Sequence, residues 1–191
     1  MTTISAFSDI DFASLPIPKN DGAAEHLLGM VVPPVALTAT DGNQVDLSRL
    51  PGRTLLYACP RTGTPEDTLP PGWDAIPGAR GCTPQTCAFR DHFSDLRLAG
   101  IDQLFGISTQ SPLAQRDAVD RLRLPFSLLS DAAFDLTQAM ILPSFEAGGY
   151  LMLKRFTLVI DGGRVSKVFY PIFPPDLHAQ EVLDWLTGDP F

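Results

Sequence analysis

The chain has 191 residues and a formal net charge of −8, which is length enough for one domain with its own apolar core. The acidic balance excludes a general nucleic-acid-binding surface. No apolar run is long enough to span a bilayer. Residues 1–14 carry no basic residue and no signal-like apolar stretch, so the expected compartment is the cytoplasm. The three cysteines do not make a disulfide scaffold in a chain this size. In a reducing compartment a close cysteine pair points to redox chemistry or metal binding.

Residues 1–29 have weak periodicity and read as an arm, with one short helix over 22–28. Residues 35–40 and 44–47 read as strands joined by the turn signal Asp41-Gly42. Residues 54–59 (TLLYAC) form an almost unbroken apolar run, the pattern of a central strand covered on both faces. Cys59 at its end reads as a small apolar core residue. Pro60 ends the strand, because it cannot donate to the ladder. Residues 60–81 are dominated by proline, glycine and polar residues, and a connection of that length is functional or mobile. Its bulky apolar residues, Trp73 and Ile76, are expected to pin it to the body.

The next stretch is Gly81-Cys82-Thr83-Pro84-Gln85-Thr86-Cys87. Thr83 suits a helix cap and Pro84 a first helical position. A helix is therefore expected over 83–98, ended by Gly100. Phe89, Phe93 and Leu96 share its core face, and Cys82 points that way. Cys87 stacks with Asp91 and Ser94 on a wetter face. Cys82 thus lies where unpaired N–H groups and the positive end of the helix dipole favour a thiolate, the reactive form of cysteine.

Residues 104–109 read as a second central strand. Ser111-Pro112 opens a helix through Leu122. Residues 126–129 read as a short strand, and Ser130-Asp131 caps a helix over 132–140. Residues 156–160 and 165–170 flank Asp161-Gly162-Gly163 as a hairpin. A last helix carries Val182, Leu183, Trp185 and Leu186. His26, His92 and His178 read as exposed or capping. Alternating strands and helices followed by a hairpin and a helix give an α/β fold with a mixed central sheet flanked by helices.

With these motifs in hand, the chain resembles the peroxiredoxins, in the Q-type branch related to bacterioferritin comigratory protein. The resemblance rests on Gly81-Cys82-Thr83, on Cys87-Ala88-Phe89-Arg90-Asp91 and on Arg155 in Lys154-Arg155-Phe156-Thr157. The family motif Pro-x-x-x-Thr-Pro-Gly-Cys is split here. Pro60-Arg61-Thr62-Gly63-Thr64-Pro65 supplies its first half, and residues 66–80 read as an insertion before Gly81. The resemblance implies a thioredoxin-like fold over residues 30–191. It implies Cys82 as the thiol that attacks peroxide and Cys87 as the thiol that resolves its sulfenic acid. Arg155 and Thr64 would bind the peroxide oxygens, and Pro60 would shield the pocket. It further implies a peroxide substrate, thioredoxin or glutaredoxin as reductant, a monomer or homodimer, and no metal, flavin or nucleotide cofactor.

Two other uses of the cysteine pair remain open from residues alone. A copper site could combine Cys82, Cys87 and His178, since thiolate ligands suit that metal. A thiol-disulfide oxidoreductase is the other, although Cys-x-x-Cys is absent.

Overall fold

The structure, a computed structural model, describes residues 10–64 and 68–188. Expectations for residues 1–9, 65–67 and 189–191, which include the start of the arm and of the insertion, lie outside the described residues. In chain order the strands and helices are β1 (Ala36–Ala39), β2 (Gln44–Asp46), β3 (Arg53–Ala58), α1 (Cys82–Asp91), α2 (Phe93–Leu98), β4 (Gln103–Ser108), α3 (Pro112–Leu122), β5 (Leu128–Ser130), α4 (Asp135–Met140), β6 (Ser144–Ala147), β7 (Tyr150–Leu153), β8 (Thr157–Asp161), β9 (Arg164–Phe169) and α5 (His178–Thr187).

Among the described residues the main sheet has the order β2-β1-β5-β4-β3-β8-β9. β3 lies near its middle, parallel to β4 and antiparallel to β8. That position explains its apolar run, because both faces are covered. Leu55 and Tyr57 pack with Phe89 and Leu96 of α1 and α2, Ala118 of α3 and Val182 of α5. Leu56 and Ala58 face the other layer, with Leu27 and with Leu136 and Met140 of α4. Each fully buried side chain of this size contributes about 1.5–3 kcal/mol. Gly106 on β4 makes room for Tyr57, since a Cβ there would fall 2.6 Å from its Cζ.

Several boundaries differ from the expectation, each for a local reason. Residues 22–28 give only one 3-10 turn, Glu25–Leu27, whose Leu27 is fully buried. The expected helix over 83–98 is two helices, broken at His92 with φ −92° and ψ 6°. α4 starts later than 132, after the Asp131 carboxylate accepts from Leu136 N–H at 3.1 Å and Thr137 N–H at 2.8 Å. His178 is not exposed. It opens α5 at 1% exposure, with Nε2 2.9 Å from Thr157 Oγ1 and Nδ1 2.7 Å from Glu181 Oε2.

The hairpin β6–β7 is absent from the expectation. Its turn, Gly148-Gly149, has φ of 59° and 78°, which glycine adopts without strain. Trp73 and Ile76 pin the long connection as expected, and this hairpin is what they pin it to. Trp73 and Ala79 are buried with Met152 of β7, and Ile76 and Phe145 pack around them.

Candidate active site

The site forms where β3 leaves the sheet and α1 begins. β3 ends at Ala58, but Cys59 N–H still donates to Ile107 O at 3.2 Å. Pro60, which is buried, then ends the strand. α1 begins at Cys82, one residue earlier than the sequence suggests, and its cap is Gly81 rather than Thr83. Gly81 has φ 106°, and a Cβ there would fall 2.4 Å from Pro175 Cγ and 2.9 Å from Phe12 Cε1. Only glycine fits that conformation and that approach. Pro84 becomes the third helical residue, still within the turn whose N–H groups have no intrahelical partner.

Cys82 is 5% exposed. Its Sγ accepts from the backbone N–H of Arg61 at 3.3 Å and from Arg155 Nη2 at 3.5 Å. Arg155 lies between β7 and β8 and is 3% exposed. Its Nη2 also faces the carbonyls of Gly78 at 3.2 Å, Ala79 at 3.3 Å and Arg80 at 3.2 Å. Nη1 donates to Gln85 Oε1. A buried cation needs such partners, and here the carbonyls at the end of the long connection hold the guanidinium against the sulfur.

Burial pushes the Cys82 thiol up. The hydrogen bond from Cys59, the Arg155 charge and the Arg61 N–H outweigh it and bring the pKa down to about 6. Cys59 goes the other way, raised well above the usual thiol range by its contact with Cys82 and by burial. We assign the anion to Cys82 because the guanidinium and the Arg61 N–H converge there. Cys59 is 4% exposed, as expected of a core residue, and its Sγ lies 3.7 Å from Thr62 Oγ1 in the turn that contacts Cys82.

Cys87 is half-buried on the intact helix α1. Burial raises its pKa, against the nearby Arg90 and Arg121 guanidinium groups. Residues five apart in a helix have Cα atoms about 8–9 Å apart and point about 140° away from each other. α1 therefore brings Cys82 and Cys87 onto one element but not into bonding contact.

Thr64 is partly buried. It follows Gly63, whose carbonyl accepts from Arg121 Nη2 at 2.7 Å. Thr62, not singled out in the sequence, is 5% exposed, with Oγ1 3.7 Å from Cys59 Sγ. Gln110 grips its peptide, accepting from Thr62 N–H at 2.9 Å and donating to Thr62 O at 3.0 Å. Helical spacing from Cys82 to Gln85 could have found Gln85. Nothing local could have found Gln110, which reaches the turn from beyond β4.

Two cavities border the site. One, of about 420 Å³, is lined by Pro60, Arg61, Gln110, Tyr150 and Leu151 among others. The other, of about 290 Å³, is lined by Pro18, Lys19, Ile76, Pro77, Gly78 and Arg155 among others. The copper grouping is not favoured, because both ring nitrogens of His178 are engaged by Thr157 and Glu181.

The Redoxin family matches residues 27–184. Peroxiredoxin Q, chloroplastic, of Sedum lineare is 32% identical over 177 residues, covering 92% of this chain and 86% of its own. Peroxiredoxin Bcp of Escherichia coli is 32% identical over 163 residues, covering 83% and 94%. Among solved structures, Peroxidoxin BcpB from Mycobacterium tuberculosis superposes with a TM-score of 0.66 at 27% identity, over 86% of this chain and 98% of that one. Peroxiredoxin Q of Xanthomonas campestris has a TM-score of 0.64 at 20% identity, covering 92% of this chain and 96% of its own, a likeness of fold. The thioredoxin-like sheet, the buried cysteine at a helix start and these matches agree: the chain belongs to the redoxin family, as a peroxiredoxin of the Q/Bcp branch.

Proposed function

We propose that this chain is a thiol peroxidase that reduces hydrogen peroxide and organic hydroperoxides through Cys82. The observation that carries the reading is the convergence of Arg155 Nη2 and the Arg61 N–H on one buried sulfur at a helix start. With a pKa of about 6, Cys82 is mostly thiolate at neutral pH. The sulfur attacks the terminal hydroxyl oxygen of the peroxide in line with the O–O bond. The S–O bond forms, the O–O bond breaks, and the departing alkoxide or hydroxide takes a proton to leave as alcohol or water. Fixed donors that tighten as charge moves onto oxygen lower the barrier. Arg155 and the Thr64 hydroxyl are the proposed donors, and Pro60 is the wall beside them.

Cys82 then carries a sulfenic acid, which condenses with the Cys87 thiol to a disulfide and releases water. Thioredoxin or a glutaredoxin returns the pair to thiols by exchange. A reducing compartment such as the cytoplasm suits three free cysteines. Among the described residues no helix is long and apolar enough to cross a membrane. We read residues 30–191 as the thioredoxin-like unit, and residues 66–80 as an insertion that narrows access. Ile76, Pro77 and Gly78 line a cavity together with Pro18 and Lys19 of the arm.

Peroxide consumption by purified protein with a dithiol reductant tests the reading. Cys82→Ser is expected to abolish it. Near-normal turnover in that variant would overturn the assignment of the nucleophile.

A further inference from the structure

Cys59 takes no part in the reaction as written, yet it is buried under the turn that contacts the reacting sulfur. We propose that Cys59 is a further catalytic residue whose thiol donates a hydrogen bond to the Cys82 thiolate, so that the two buried sulfurs hold one proton and one negative charge between them. The inference rests on the thiolate chemistry proposed above.

The geometry starts from strand alternation. Leu55 and Tyr57 face the α1 layer, and Tyr57 stacks on Phe89 of α1 with ring centroids 4.4 Å apart. Two residues on, Cys59 projects to that same side, and Cys82 opens α1 there. The following turn touches both sulfurs. Arg61 N–H reaches Cys82 Sγ at 3.3 Å, and Thr62 Oγ1 lies 3.7 Å from Cys59 Sγ. Gln110 fixes that turn by bonding both ends of the Thr62 backbone. Consecutive residues of that turn touch the two sulfurs, which brings the thiols together beneath it, and the opposite pKa shifts of the pair accord with that.

The position of the proton follows from what else faces the pair. Arg155 presents its charge to Cys82 Sγ at 3.5 Å. The Tyr57 hydroxyl is directed to Thr86 Oγ1 at 3.3 Å and stays neutral, since burial pushes its pKa up. Cys59 meets a neutral hydroxyl and a neighbouring anion, so it keeps its proton. Attack on peroxide leaves the Cys59 S–H bond intact. It does remove the anion on which Cys59, Arg61 and Arg155 converge, and with it part of what holds the first turn of α1.

Two variants test this. Cys59→Ala removes the donor, and Cys59→Ser retains one. The readouts are peptide-resolved alkylation of Cys82 and the rate with hydrogen peroxide, each from roughly pH 5 to 9, spanning both thiol ranges. In Cys59→Ala the apparent Cys82 pKa is expected to rise. A rise of about one unit lowers the thiolate fraction at pH 6 about fivefold. The rates should converge with wild type at the alkaline end, where Cys82 is ionised in both, and Cys59→Ser should recover most of the loss at pH 6. An unchanged profile in Cys59→Ala overturns the proposal. So does a loss by the same factor at every pH, which packing damage alone would give. The alkylation profile reports the hydrogen bond whether or not peroxide is consumed. A wild type inert to peroxide would therefore remove the proposed function while leaving this inference to its own readout.

Discussion

Arg155 is the residue on which the proposed chemistry turns. It brings a permanent charge into the interior at 3% exposure, and three carbonyls with Gln85 orient it. Arg155→Met keeps the length and removes the charge and the fork of donors. The apparent Cys82 pKa should rise, and the peroxide rate at neutral pH should fall about a hundredfold or more, the cost of losing a fixed donor to a developing oxyanion. Arg155→Lys, which restores charge without the fork, should fall between. A Met variant with an unshifted alkylation profile and a normal rate would take Arg155 out of the site. Pro60, Thr64 and Arg155 were candidates only through the family resemblance, whereas Cys82 and Cys87 were legible from a helix start and its first turns. Cys59 was not. Its meaning depends on where α1 docks on β3, and that is set by the Tyr57–Phe89 stacking and by Gly106, far from it in sequence.

At the scale of elements, the proposed mechanism asks two incompatible geometries of α1. Folded, it starts at Cys82, whose sulfur meets the Arg61 N–H and Arg155, and keeps Cys87 out of reach. A disulfide needs Cα atoms within roughly 7 Å and converging side chains. Resolution therefore requires unwinding of the first turns. Pro84 withholds an N–H there, and Thr83 and Thr86 are indifferent helix formers. Opposing that, Phe12 and Pro175 pack against Gly81, so oxidation must displace this cover. The expected oxidised form has an intramolecular Cys82–Cys87 disulfide and faster amide exchange over residues 82–88. Non-reducing peptide mapping with hydrogen exchange of both redox forms checks it. A disulfide from Cys82 to Cys59 or to another chain, or equal protection in the two forms, would contradict this mechanism. The sequence indicates that a helix carries both cysteines. It places the cap wrongly because Thr83-Pro84 is a local signal, whereas the glycine start is fixed by contacts from both ends of the chain.

For the whole molecule, the order of strands and helices was readable because the central strands β3, β4 and β8 are buried on both faces and correspondingly apolar. β6 and β7 escaped because they are short, with half-exposed residues, and their role is to receive Trp73. The long connection consequently does two jobs. Its middle packs on that hairpin, and its end, residues 78–80, supplies the carbonyls that aim Arg155. Sheet, connection and helix thus converge on one buried sulfur, and the proposed function requires it to be a thiolate at neutral pH. The most direct measurement of that is the pH dependence of the second-order rate of hydrogen peroxide with reduced wild-type protein. The rate is expected to rise with the thiolate, half-maximal near a pKa of about 6, and to be level through neutrality. A rate still climbing through about pH 8 to 9, as for an unperturbed thiol, would contradict it.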